Sequence, residues 1–139
     1  MKGCFILKKK VVALLAVAVI ALSASFACVT AFADDVSWKY DASSKTLTVY
    51  GKGKMNNYAD EYSAPWHSYT LEIENVVVSD GISSVGNYAF SGAEKLHTVS
   101  LANSVSSIGT NSFSSCKSLK SLALSENVVS IGDYSFAYN

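Results

Sequence analysis

The sequence predicts a β-rich solenoid entered through a hairpin, and three observations carry that prediction. The first is a motif that returns at a fixed step. Ile82-Ser-Ser-Val85-Gly86-Asn-Tyr-Ala89-Phe90 recurs as Val105-Ser-Ser-Ile108-Gly109-Thr-Asn-Ser112-Phe113 and as Val128-Val-Ser-Ile131-Gly132-Asp-Tyr-Ser135-Phe136, with glycine and phenylalanine 23 positions apart each time. The second is an interleaved apolar pattern with the same step: Ile73, Val76, Val78 and Gly81, then Leu96, Val99, Leu101 and Ser104, then Leu119, Leu122, Leu124 and Asn127. Its last copy reads L-x-x-L-x-L-x-x-N, the strand signature of a leucine-rich repeat, and the step falls inside that class's period range. The third is a non-repeating opening in which apolar and polar residues alternate across a polar connector, which reads as a hairpin. The fold class is therefore a β-rich leucine-rich-repeat solenoid of short parallel strands with helical turns, preceded by a β-hairpin cap.

The first 33 residues are set apart from that fold. Lys2, Lys8, Lys9 and Lys10 precede a wholly apolar run from Val11 to Leu22, and Ala31-Phe32-Ala33 follows as an A-x-A site. These are the three regions of a secretory signal peptide, assigned to residues 1–33. The rival is an uncleaved membrane anchor, but Ser23 and Ser25 weaken the run below the roughly 20 residues that span a bilayer. A lipoprotein site at Cys28 is weaker still, because Ser25-Phe26-Ala27 lacks the aliphatic residue such a site places three positions earlier. Beyond residue 33, seven lysines and no arginine face eleven acids, a net charge of −4. Nothing in that balance neutralises a phosphate backbone, so nucleic acid is not an expected partner.

Residues 34–70 are assigned to an N-terminal hairpin cap and an aromatic connector. Val36, Trp38 and Tyr40 alternate with polar residues, as do Leu47 and Val49, with Asp41 to Lys45 between them. A hairpin there shields the apolar edge that a first rib would otherwise show to water. The run Gly51-Lys-Gly53-Lys-Met-Asn lacks the third glycine and the G-K-[ST] ending of a phosphate loop, and reads as a turn. Tyr58, Tyr62, Pro65, Trp66 and Tyr69 make up the connector, and Pro65 biases Ala64 toward an extended backbone. These aromatics are expected to pack over the first rib; the alternative is an exposed binding patch of Tyr58, Tyr62 and Trp66.

Residues 71–139 are assigned to the solenoid, with about three repeats and the last unfinished. Because strand side chains alternate, Val99 and Leu101 share one face while Thr98, Ser100 and Ala102 share the other. Stacked ribs then present a ladder of Asn75, Val77 and Ser79, of Thr98, Ser100 and Ala102, and of Ser121, Ala123 and Ser125, the candidate protein-binding face. Val105 to Ile108 reads as a second short strand, Gly109 as a turn, and Thr110 to Ser115 as a helical turn that delivers Phe113 inward. Phe90, Phe113 and Phe136 are expected to form a spine. The third turn ends at Asn139 before another strand, so the sequence predicts either further ribs or an apolar edge covered by a partner, self-association included.

Candidate chemistry is sparse. His67 lies in the aromatic connector and His97 just after a rib leucine; each reads as a polar surface or partly packed residue, and a serine near either carries little weight in so serine-rich a chain. Gly81-Ile-Ser-Ser-Val-Gly86 has one residue too many for a nucleophile elbow. Glu72 and Glu74 occupy alternate strand positions that read as a solvated edge. Cys116, the sole cysteine after the signal, stands where Ala93 stands one repeat earlier and reads as a small core residue. No internal disulfide, metal site or cofactor motif is expected, and the chain reads as non-catalytic.

With these residues in hand, the chain resembles the BspA-like leucine-rich repeat family of exported bacterial surface proteins. The best match to its I-G-x-x-A-F-x-x-C-x-x-L-x-x-V-x-L repeat runs from Ile108-Gly109 through Ser112-Phe113 and Cys116 to Leu119, Leu122 and Leu124. Ala93 departs from it at the cysteine position, and the turns after Ala102 and Ser125 lack the proline often found there. The resemblance implies a secreted or cell-surface module of adhesion type, with a protein ligand such as host matrix or another cell surface. Membrane contact is expected only through the export signal. The alternative is a structural or targeting portion of a longer multidomain surface protein.

Overall fold

The computed structural model describes residues 35–120 and 122–139, so the segment read as an export signal and Ser121 lie outside the described residues. Among them are seven strands: β1 (Asp35–Asp41), β2 (Thr46–Lys54), β3 (Asn75–Val78), β4 (Ile82–Val85), β5 (Thr98–Leu101), β6 (Ser107–Ile108) and β7 (Ser130–Ile131).

The repeat step is the strand register. Asn75 pairs with Thr98, Ser84 with Ser107 and Ser107 with Ser130, all parallel and all 23 residues apart. An isolated bridge from Ser100 to Ala123 extends β5 to the third rib at the same step. Each rib thus crosses two parallel ladders, one through β3 and β5, the other through β4, β6 and β7. Side chains facing between the ladders form a continuous core that includes Ile73, Val76, Val78, Ile82, Val85, Leu96 and Ile108, each at most 2% exposed.

The glycines of the repeat answer to the spacing of the ribs. A Cβ at Gly109 would stand 2.6 Å from the Asn87 backbone nitrogen, and one at Gly132 would stand 2.5 Å from that of Thr110. The chain crosses the preceding rib backbone-on-backbone at this corner, where no side chain fits.

After the corner, Thr110 to Ser115 form a run of turns in place of the expected helical turn. The reason lies in the hydrogen bonding. Tyr88, Phe90 and Gly92 donate their N–H groups to the carbonyls of Thr110, Ser112 and Ser114 in the next rib, and Asn111, Phe113 and Ser115 donate to Asp133, Ser135 and Ala137. Groups that would close a helix inside one rib join two ribs instead. Two left-handed residues four positions apart bend this path, Asn111 at φ +53° and Ser115 at +59°. The result still buries Phe113 completely.

The hairpin has a larger part than covering an edge. β1 and β2 pair antiparallel, with Trp38 opposite Val49 and Tyr40 opposite Leu47, so both strands turn apolar side chains to the core. β2 then pairs parallel with β3 over Thr46 to Val49 and with β4 over Gly53 and Lys54. One strand thereby serves both ladders as a complete preceding rib does. The change of ladder is made at Gly51 and Gly53, whose φ values of +117° and +100° suit glycine alone, and the run weighed as a phosphate loop is this corner.

Trp66 completes the imitation. Its ring stacks on Phe90 at 5.5 Å, Phe90 on Phe113 at 5.2 Å and Phe113 on Phe136 at 5.6 Å, so the expected phenylalanine spine has a tryptophan as its first member. The indole Nε1–H donates to the Ala89 carbonyl at 2.7 Å, which satisfies its polar edge inside the core.

Candidate functional site

The register assembles the candidate ladder. Lys39, Thr48, Val77, Ser100 and Ala123 lie in one row across five segments, and Asp41, Thr46, Asn75 and Thr98 lie in the next. Thr98, Ser100 and Ala123 are exposed, Asn75 and Val77 half-buried. The face therefore continues onto the hairpin, which supplies its charged members Lys39 and Asp41. Along one row, Thr98 Oγ1 donates to Asn75 Oδ1 at 2.6 Å and Asn75 Nδ2 donates to the Ser44 carbonyl at 3.1 Å. This fixes the side chains but consumes part of their capacity for a ligand. At the row's edge Lys45 and Glu74 form an ion pair at 2.5 Å, and the lysine's hydrogen bond holds the Glu74 carboxyl below its ordinary range.

The remaining candidates stand elsewhere. Ser79 and Ala102 lie just past the ends of β3 and β5 and are half-buried. Ser125 donates its hydroxyl to the Val105 carbonyl of the previous rib at 3.3 Å, which turns it from the face into a turn. Nor do the three aromatics weighed as a patch share one surface. Trp66 is 1% exposed in the spine and Tyr58 is half-buried edge-on against it, its phenol pushed up to about 12 by burial. Tyr62 alone is open, at 66% exposure. Burial of the indole follows from its stacking on Phe90, so Trp66 is corrected from a patch residue to a core residue.

Beside Tyr62 lies a cleft of about 290 Å³ that spacing alone does not foretell. The connector contributes Glu61, Tyr62, His67 and Thr70, and Leu71 follows directly after it. The rib contributes Ser91, Gly92 and Glu94. The Tyr62 ring meets His67 edge-on at 5.2 Å, and the neighbouring Glu61 carboxylate holds the tyrosine phenol above its ordinary value. Glu94 pairs with Lys117 from the next rib at 2.6 Å. No three of the described His, Cys, Asp or Glu residues gather as a metal site would require.

At the other end, the third rib exposes what the second rib buries. Ile131 is 49% exposed whereas Ile108, its counterpart one repeat earlier, is 2% exposed. Leu119, Leu122 and Phe136 border a shallow groove of about 200 Å³ there. Cys116 is closed: its Sγ lies 3.3 Å from the Phe90 carbonyl, and burial pushes the thiol up to about 12.

Comparison with known proteins agrees with this geometry. Residues 65–139 match the family model described as a BspA type leucine rich repeat region (6 copies). A leucine-rich repeat protein from Eubacterium ventriosum superposes with a TM-score of 0.69 at 31% identity, over 73% of this chain and 27% of that one. A leucine-rich repeat protein from Bacteroides ovatus shares the fold with a TM-score of 0.50 at 20% identity, over 77% of this chain and 32% of its own. The chain thus spans about a third or less of the length of these two proteins. No curated protein matches it.

Proposed function

Because this chain belongs to the BspA-type leucine-rich repeat family, we propose that it is a non-catalytic protein-binding module of adhesion type, exported through residues 1–33 and displayed or released outside a bacterial cell. One observation carries the reading: a solvent-facing ladder, mostly of small side chains, held in register from the hairpin to the third rib. A rigid face with its backbone already paired offers a partner a surface that costs little entropy to engage. The individual side chains are small, so affinity would come from many rows together. Host matrix or another cell surface is the ligand class that this reading favours.

The test is capture by immobilised extracellular-matrix proteins, measured by surface plasmon resonance on the chain and on a variant carrying Thr98→Glu and Ser100→Lys. Loss of capture with an unchanged thermal midpoint supports the ladder. Equal capture by both moves the binding site off it. A second reading rests on the exposed Ile131 and the groove bordered by Leu119, Leu122 and Phe136: this edge takes a further rib or a second copy, as it would in a structural portion of a longer surface protein. Sedimentation that is independent of concentration down the micromolar range would speak against association of copies.

A further inference from the structure

The cleft beside Tyr62 has its origin in a mismatch of length. From Gly53 to Trp66 the chain takes 13 steps, while from their counterparts Ile82 to Phe90 it takes 8. The rib formed by the hairpin therefore carries five more residues than the repeat needs. Asp60 folds the excess into a tight turn, accepting hydrogen bonds from the Tyr62 N–H at 3.0 Å and the Ser63 hydroxyl at 2.6 Å. This turn places Glu61 against Gly92, where a Cβ would stand 3.5 Å from the carboxylate oxygen.

We propose that this cleft receives an arginine side chain of a partner protein. Thr70 and Ser91 line it, are 8% and 6% exposed, and make no side-chain hydrogen bond among the described residues. Neither hydroxyl is closed off from solvent, so both stand open in the cleft as acceptors for a donor-rich ligand. Carboxylates of Glu61 and Glu94 stand at the same cleft, with Leu71 and the exposed Tyr62 ring as apolar lining. Guanidinium fits that combination: planar, weakly hydrated, acceptor-free, with five donors for carboxylate and hydroxyl oxygens and a face that stacks on an aromatic ring. Lys117 already pairs with Glu94 at 2.6 Å, so the carboxylate left for the ligand is chiefly that of Glu61. The site deepens the protein-binding reading and rests on it for the source of the arginine, yet it does not use the strand ladder.

The probe is Nα-acetyl-arginine N-methylamide, titrated into the chain while backbone amide shifts are followed by NMR. The citrulline counterpart, which keeps shape and loses charge, is the control. Saturable shifts centred on Thr70, Ser91 and Gly92 are expected with arginine, and binding about tenfold or more weaker with citrulline. Glu61→Gln and Tyr62→Ala, both at solvent-reached positions, should each abolish saturation while the thermal midpoint holds. Equal response to both probes, or shifts that saturate elsewhere, would overturn the proposal. So would saturation of these amides by methyl glucoside in place of arginine, which would make the cleft a polyol site. Failure of matrix capture with the arginine response intact would reject the adhesion reading and leave the cleft standing.

Discussion

Two serines at the same place in the repeat should respond to alanine with opposite sign. Ser112 and Ser135 are 23 positions apart, and Ala89 holds the place one repeat before them. Ser112 is fully buried and its hydroxyl has no hydrogen-bond partner. Ser135 is also buried, but its hydroxyl reaches the Gly109 carbonyl at 3.0 Å and that of Gly132 within its own rib. Ser112→Ala removes an unpaired hydroxyl whose desolvation costs about 1–3 kcal/mol, offset in part by the small void an oxygen leaves. A net gain of about 1 kcal/mol is expected. Ser135→Ala gives up one hydrogen bond and should cost about 1 kcal/mol, so the two variants should differ by about 2 kcal/mol. Urea titration followed by far-UV circular dichroism reads both, and a gain of that size should lift the midpoint temperature by roughly 4–8 °C in a domain of this length. If Ser112→Ala destabilises the chain, or both variants shift the same way by like amounts, the assignment of an orphan hydroxyl at residue 112 is refuted.

Three further outcomes follow from the same packing. Gly109→Ala should lose about 1–3 kcal/mol or fail to fold, because its Cβ would meet the unyielding backbone of Gly86 and Asn87 as well as the Asn87 side chain; retention of the wild-type urea midpoint would contradict that contact. Phe113→Ala should cost about 3–5 kcal/mol, since the ring is fully buried between two stacked neighbours, whereas half-buried Phe136 with one neighbour should cost clearly less on the same urea scale. Finally, burial holds the Cys116 thiol and the Tyr58 phenol protonated up to about 12 in the fold, above their ordinary values of 9.0 and 10.0. The folded chain then binds more protons than the unfolded one between pH 9 and 12, so stability is whole below that window and falls as pH rises through it. Cys116→Ala, which copies Ala93, should flatten the alkaline loss, and the native thiol should resist iodoacetamide until the chain unfolds.

Much of this was legible in the sequence because the repeat is enforced by register. A parallel pair at a constant offset returns each residue to the same environment, so Val76 and Val99 read as core and Thr98 and Ser100 as surface from spacing alone. The hairpin was legible for the same reason, through alternation. What escaped was the rib that breaks the step. β2 meets β3 at an offset of 29 residues and Trp66 meets Phe90 at 24, so a search at 23 finds neither. Trp66 then reads equally as patch or core, since a tryptophan serves either and only its stacking partner decides. The turn after Gly109 escaped for another reason: its spacing suits one helical turn, but its N–H groups bond across ribs, which local periodicity does not report.

The hairpin rib and the third rib differ in how far their inward-facing side chains are covered. The hairpin supplies a strand to both ladders, a ring to the spine and surplus chain that becomes a cleft, so the inward-facing Ile73, Val76, Val78, Ile82, Val85 and Phe90 of the first rib are all covered. At the third rib the same positions meet water, as the step from 2% exposure at Ile108 to 49% at Ile131 shows. Core positions repeat and therefore carry no information about a ligand; they are set by the rib above and the rib below. Selectivity has to come from residues the repeat leaves free, and the largest departure from the repeat is the five-residue surplus around Glu61 and Tyr62. An adhesion surface built this way would draw breadth from the ladder and discrimination from the irregular rib that begins it.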